Sequence, residues 1–241
     1  MTTTLYFSGE SVEPDGVVST RLLAVEPRRF IVAGWTGRDV AAIEHHIEEL
    51  AALGVPRPSA VPLYYRVGKD LLSQAGAVEV LGDDSSGEAE PALFFAEGEW
   101  WLTVGSDHTD RKVESYSVAV SKQMCVKPVA TAAWRWSDIA GRQDDIQLLS
   151  RIYENGEWVD YQRGTLASIR PLESLRDGFF GKTVPAAEQG CFMFCGTLGA
   201  IPNAQGKGIR PAPVMEIALR DPVRERVISH RYAMDVLPVV A

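Results

Sequence analysis

Glu88 and Glu90 stand two residues apart at the entrance to an apolar run, residues 91–96. On a strand, residues i and i+2 point to one face, so the two carboxylates would sit side by side. Such a pair repels itself when buried alone and becomes favourable around a divalent cation. Asp107 follows the next apolar run and offers a third carboxylate. His108 beside it offers an imidazole, although a lone His more often makes a structural hydrogen bond. Arg111 carries a planar fork suited to a substrate carboxylate, although taken on its own segment such an Arg is more often a surface ion pair. The run His45-His46 with Glu48-Glu49 is a second constellation. On a helix, His45 and Glu48 lie three apart, as do His46 and Glu49, so either pair can meet across one turn. A carboxylate that orients an imidazole makes a general base near neutral pH, while the ordinary alternative is a solvated helix face. The three cysteines, Cys125, Cys191 and Cys195, are too few for a structural zinc site. Packing is their expected role, since a cysteine nucleophile at Cys125 or Cys195 needs a lowered thiol pKa and a nearby base. There is no His-Glu-x-x-His, no Gly-x-Ser-x-Gly, no P-loop and no dinucleotide glycine fingerprint.

These residues must be held by elements, and the clearest is a helix over residues 39–53. Val40, Ile43, Ile47, Leu50 and Leu53 repeat at spacings of three and four. Asp39 can cap its start, and Gly54, Pro56 and Pro58 stop it. A second, short helix is expected at 172–176. Most of the remainder reads as strands. Residues 92–96 and 100–104 form a hairpin around Glu97-Gly98-Glu99. Residues 148–153 and 158–161 form another around Asn155-Gly156, a strong type I′ signal. Residues 215–219 and 226–232 make a third pair. Residues 82–87 read as a loop by composition. The sum is a mainly β, α+β fold with one helix near its N-terminal side.

The 241 residues include 24 Lys and Arg against 32 Asp and Glu, a formal net charge of −8. That balance excludes nucleic acid and an anionic membrane surface as main partners, because both demand a basic face. The first residues hold no basic n-region and no long apolar stretch, so no signal peptide is expected. No apolar run approaches the length that spans a bilayer. With three cysteines, the chain fits a reduced, cytoplasmic setting.

In chain order the motifs resemble the fumarylacetoacetate hydrolase superfamily, most closely a branch known mainly as a domain of unknown function. That superfamily carries a motif close to Gly-Asn-Asp-Val-Ser-Ala-Arg, matched here at Gly105, Asp107 and Arg111. Upstream its Glu-x-Glu is matched by Glu88 and Glu90. Downstream its Lys-Ser-Phe-like segment ending in Pro is similar to residues 121–128. Asn155-Gly156-Glu157 with Gln162-Arg163-Gly164-Thr165 resembles its next pair, and Cys195-Gly196-Thr197-Leu198-Gly199 its Thr-Gly-Thr-Pro-x-Gly. Near the N-terminus, His45 to Glu49 and Pro62-Leu63-Tyr64-Tyr65-Arg66 resemble its His-x-x-Glu helix and its Pro-x-Phe-x-Lys run. There are departures. Ser106 replaces Asn, Glu114 stands where Gln is frequent, Leu198 replaces Pro, and the short interval from Glu90 to Asp107 leaves no room for a helix of the family.

The resemblance implies a fumarylacetoacetate hydrolase C-terminal-domain-like mixed β-sandwich or roll with a few short helices. It implies a single unit over 1–241, with 1–80 as an N-terminal helix and strand portion and 81–241 as the metal-binding β core. It also implies a Mg²⁺ (or Mn²⁺) enzyme that hydrolyses a C–C bond of a small 2-oxo or 1,3-dicarbonyl acid. Glu88, Glu90 and Asp107 would hold the metal, whose Lewis acidity stabilises an enolate. Lys122, preferred over Lys127, would support the developing oxyanion. His45 and Glu48, or His46 and Glu49, would activate water. Arg111, Thr197 and Tyr65 would hold the substrate's oxygens. Decarboxylation, keto–enol isomerisation and non-catalytic binding of a small acid fit the same pattern. The expected partners are a small carboxylic acid and a second copy in a homodimer.

Overall fold

A computed structural model describes residues 3–52, 57–182 and 188–240. The side chains of His46, Glu49, Leu50 and Ala52, and the whole of Leu53, Gly54 and Pro56, lie outside the described residues. Two sheets dominate. The larger has eight strands, in the order Val18–Val25, Leu5–Val12, Ala132–Arg135, Glu99–Ser106, Ala89–Ala96, Cys191–Phe194, Arg29–Gly34 and Leu63–Val67. The smaller has five, Glu157–Thr165, Gln147–Glu154, Val214–Asp221, Arg226–Leu237 and Ala77–Leu81. Both mix parallel and antiparallel pairs.

One core fills the space between the sheets. Leu93, Leu102 and Val104 of the larger meet Leu148, Ile217, Leu219 and Tyr232 of the smaller. A second core coats the opposite face of the larger sheet with aromatic rings, Phe7 stacked on Phe94 at 4.3 Å and Phe94 on Phe192 at 5.2 Å. Every residue of Ala89–Ala96 is therefore buried, which explains why this strand is a continuous apolar run and not an alternating one.

The three expected strand pairs form. Positive φ at both central residues, Glu97 and Gly98 in one tip and Asn155 and Gly156 in the other, marks the tight hairpin turns. The helix α1 spans Val40–Ala52, with Asp39 capping the Ala42 amide at 3.0 Å. Ile47 is buried, whereas Val40 at the start of the apolar stripe is exposed. Two further helices, α2 (Arg111–Glu114) and α3 (Val118–Met124), carry no apolar repeat long enough to read. Asp110 and Ser117 cap them. The helix α4 runs over Leu172–Phe180, longer than expected. The segment read as a loop at 82–87 contains a short ladder, Ser85-Ser86 against Thr109-Asp110.

Asp221 ties the two sheets together. It ends a strand of the smaller sheet and accepts two bonds from Arg142, at 2.7 and 2.6 Å, and one from Arg226. Arg226 also reaches Glu10 of the larger sheet at 2.6 Å. Burial would raise this carboxyl, but the two guanidinium groups outweigh it and hold it at about 2, against an ordinary 3.8. The resulting stabilisation, about 2 kcal/mol, is present above the ordinary value and is lost as pH falls through about 2. Asp221→Asn is expected to lower stability by about 2 kcal/mol at pH 7. Urea unfolding should also show a shallower loss of stability in acid than in the parent chain.

Candidate functional site

Two neighbouring strands bring the acids together. Ala89–Ala96 pairs antiparallel with Glu99–Ser106, which sets Glu90 opposite Gly105. The Asp107 amide then donates to the Glu88 carbonyl at 3.0 Å. The carboxylates of Glu88, Glu90 and Asp107 consequently lie within 4.8 Å of one another. Gly105 is required there, because a Cβ would fall 2.2 Å from the Phe194 ring. Pro91 is tolerated in this strand because its side without an N–H faces the end of the Cys191–Phe194 ladder, where its carbonyl accepts from Cys195. The chain then leaves the sheet at Gly196, whose amide donates to Glu90 Oε2 at 2.7 Å. Gly196 has φ +98°, and a Cβ would meet Thr36.

Charge compensation comes from two lysines. The Lys122 ammonium, on α3, donates to Asp107 Oδ2. Lys127 lies 3.2 Å from Asp107 Oδ1 and donates to the His108 carbonyl. Burial would raise the Asp107 carboxyl, yet the two ammonium groups overcome it and hold it far below the usual range. Burial would lower Lys122, but Asp107, Glu88 and Glu90 keep it firmly protonated. Burial lowers Lys127. Glu90 is pushed well above the ordinary carboxylate range by burial and by Asp107, and burial also raises Glu88. A buried three-carboxylate cluster with one member pushed toward neutrality lacks positive charge. Its hard oxygen donors suit a divalent cation of the Mg²⁺, Mn²⁺ or Ca²⁺ kind.

Glu88 and Glu90, with Asp107 enclosed behind them, open into a pocket of about 580 Å³, bounded also by residues 33–37, Tyr65, Lys122, Arg111, Glu114 and the Gly196-Thr197 loop. Lys122 lies 5.6 Å from the centre of the Tyr65 ring. Thr197 is pinned from behind: its hydroxyl donates to the Ala89 carbonyl at 2.8 Å and accepts from Gln162 Nε2 at 2.6 Å. Gln162 Oε1 in turn accepts from the Ala89 amide. A bulge opposite Ser150-Arg151 turns both Tyr161 and Gln162 inward. Sequence reasoning placed Gln162 within a motif but gave it no role in the site, because a bulge breaks the alternation that burial is read from.

Ser106 is a structural partner in the site. Its hydroxyl is 2.8 Å from Tyr232 and accepts from the Glu88 amide at 3.2 Å. His108 bonds Tyr232 and Ser85 through its two ring nitrogens, and burial holds it at about 3, so it is a neutral structural residue and not a ligand. His45 and Glu48 are exposed on α1 and are not among the pocket-lining residues. All three cysteines are buried with raised thiols, Cys191 to about 12 by burial first, which is the reverse of an activated nucleophile.

A family model described as protein of unknown function (DUF2848) matches residues 33–232. No curated protein sequence matches the chain. Among solved structures, a hexagonal form of 2-keto-3-deoxyarabinonate dehydratase is similar with a TM-score of 0.61 at 12% identity, over 91% of this chain and 77% of that one. Cg1458 with inhibitor gives 0.58 at 13% identity, over 91% and 81%. 2-keto-3-deoxy-D-arabinonate dehydratase complexed with magnesium and 2,5-dioxopentanoate gives 0.52 at 12%, over 95% and 79%. At these identities the likeness establishes the fold, a mainly β, mixed-sheet α+β architecture with few short helices.

A cation that enters the acidic cluster binds only the folded chain and stabilises it by mass action. At Mg²⁺ concentrations about 100-fold above Kd the gain is about 2.7 kcal/mol, or roughly 5–10 °C in Tm for a chain of this size. Thermal unfolding of chelator-treated protein with and without Mg²⁺ measures it. The shift is expected to vanish in Asp107→Asn.

Proposed function

The chain belongs to the DUF2848 family of proteins of unknown function, and from that premise we propose that it is a divalent-metal-dependent enzyme of the fumarylacetoacetate hydrolase superfamily, acting on a small 2-oxo acid. One observation carries the reading. Glu88 and Glu90 line a pocket beside Lys122, and Asp107, enclosed behind them, brings a carboxylate oxygen within 4.8 Å of theirs. The similar fold of a dehydratase whose structure holds magnesium and 2,5-dioxopentanoate supports it. The chain functions as one unit over 1–241: Leu5–Val12 and Arg29–Gly34 share a sheet with Ala89–Ala96, and Tyr65 joins the pocket from the N-terminal portion.

Glu88, Glu90 and Asp107 would hold Mg²⁺ or Mn²⁺. When bound, the cation supplies Lewis-acid polarisation of a 2-oxo carbonyl and counter-charge for a carboxylate. Lys122 keeps its proton at Nζ and places that positive charge where an enolate oxygen develops. The Tyr65 ring and the pinned Thr197 loop shape the wall against which the substrate lies. The proposed reaction is C–C hydrolysis, for which His45 with Glu48, or His46 with Glu49, would have to be brought to the pocket from α1 to activate water. A second reading, decarboxylation or isomerisation without an activated water, is favoured by the exposed position of His45 and Glu48 on α1. No histidine lines the pocket among the described residues.

Turnover of acylpyruvates by metal-loaded protein, with oxaloacetate as the dicarboxylic comparison, tests the proposal. Activity is expected to disappear with chelator and to return with Mg²⁺ or Mn²⁺. Asp107→Asn is expected to lose at least about 100-fold in kcat/KM, since even indirect metal partners cost 10–100-fold. Retained activity at full metal occupancy would sink the assignment. Product analysis separates the two reactions: hydrolysis yields two acids, decarboxylation yields CO₂.

A further inference from the structure

Arg111 is the pocket cation that sequence pattern assigns to a substrate carboxylate, and its fork is already engaged. Nε donates to Ser86 Oγ at 2.7 Å, and NH2 donates to the Ser86 carbonyl at 3.2 Å. NH1 donates to Glu114 Oε2 at 2.9 Å, while NH2 also lies 3.5 Å from Glu88 Oε2. A guanidinium has two edges that grip a carboxylate in bidentate fashion, Nε with NH2 and NH1 with NH2. Ser86 holds the first, and Glu114 with Glu88 holds the second. Arg111 therefore braces Glu88 and Glu114 from the side and offers no free edge to a substrate.

Glu114 lines the same pocket, its side chain 29% exposed. One of its oxygens is bound to Arg111; among the described residues the other, Oε1, has no hydrogen-bond partner. An ionised carboxylate accepts hydrogen bonds and donates none. It attracts a donor on the substrate and repels an anion.

The charges point the same way. With every carboxylate ionised, as a bound cation would hold them, Glu88, Glu90, Asp107 and Glu114 stand against Arg111, Lys122 and the buried Lys127, which leaves one negative charge in excess. A divalent cation turns that into one positive charge, and a single substrate carboxylate brings the site to neutrality. A second carboxylate would place an uncompensated charge beside Glu114, in a wall that otherwise offers Tyr65, Trp35, Val118 and Ile209 with the uncharged hydroxyls of Thr36, Ser115 and Thr197.

We propose that the pocket takes a monocarboxylic 2-oxo acid with a hydroxylated tail, and that Glu114 is the specificity-determining residue, accepting from that hydroxyl and excluding dicarboxylic acids. The assignment rests on the reading of the site as a metal centre for 2-oxo acids.

Calorimetric binding to the Mg²⁺-loaded full chain tests both levels. Oxalate reports the metal centre alone. 5-Hydroxy-2-oxopentanoate and 2-oxoglutarate have the same chain length and differ in a terminal hydroxyl or carboxylate. The parent protein is expected to bind the hydroxy acid at least tenfold more tightly than the diacid. In Glu114→Gln that ratio should fall at least tenfold, and in Glu114→Asp, which keeps the charge, the hydroxy acid should stay preferred. Because the readout is a ratio within one protein, a general change in metal affinity cancels. Oxalate binding with no preference in the parent, or a ratio unchanged in Glu114→Gln, overturns the role of Glu114 and leaves the metal centre standing. Absence of oxalate binding overturns both. Should Glu114→Gln fail to fold, the parent's ratio and that of Glu114→Asp still decide the matter.

Discussion

A buried carboxylate costs several kcal/mol unless opposite charge meets it, and Asp107 is fully buried with two more carboxylates beside it. The surroundings answer that constraint. Lys122 and Lys127 each take one of its oxygens. The two lysines come from different places, one on α3 and one in the short Lys127-Pro128 ladder against Leu72-Ser73. Arg111 stands on the opposite side, against Glu88 and Glu114. A cluster that remains short of positive charge after three cations have been drawn to it is an arrangement that gains from a fourth. The short segment from Asp107 to Pro128, with its two small helices, exists in this geometry to deliver those cations.

Backbone geometry makes the cluster possible before any side chain does. The register of Ala89–Ala96 against Glu99–Ser106 fixes which residues face which. The glycine opposite Glu90 makes room for the Phe194 ring of the second core. At the other end, Gly196 lets the chain pass close to Thr36 while its amide caps Glu90. The two hydrophobic cores hold both faces of this sheet, so Glu90 on its strand, and Glu88 and Asp107 joined through a backbone bond just beyond the strand ends, have little freedom to relax away from one another. That rigidity keeps like charges together, which a flexible loop would separate.

What the sequence disclosed followed from local patterns. The three hairpins could be read because alternation, Asn-Gly and Glu-Gly turns act over a few residues, and the i, i+2 spacing of Glu88 and Glu90 carries its own geometry. The helices α2 and α3 were missed because each is too short to show a period, being set by a cap and by tertiary contact. The ladder at Ser85-Ser86 was missed for the same reason, since its partner lies 23 residues away. Gln162 falls within a motif, but its inward turn was hidden by a bulge. The stripe that predicts α1 includes Val40, which is exposed, because a helix's apolar period marks a face and not how far along its length the neighbours reach. The Glu114 contact lies three residues along α2 from Arg111 and is readable as a helical pair, but Ser86 and Glu88 reach the fork from a different segment, so that both its edges are filled emerges only from the fold.

The choice between the two lysines illustrates what structure adds. Either can be aligned to a motif, and both touch Asp107. Lys127 is wholly enclosed, its ammonium held between Asp107 and the His108 carbonyl, so no substrate can reach it. Burial disfavours its charge, and Asp107 is the partner that retains it. Lys122 bonds the other oxygen of Asp107 yet also lines the pocket, near the Tyr65 ring. A group that is to stabilise charge on a substrate must touch it; of the two lysines only Lys122 lines the pocket, so the proposed role falls to it. Lys127 is the fixed counter-ion that lets Asp107 stay ionised while Lys122 faces outward; the pair divides between them what a single lysine could not supply, permanent neutralisation behind the acid and a proton-bearing cation in front of it.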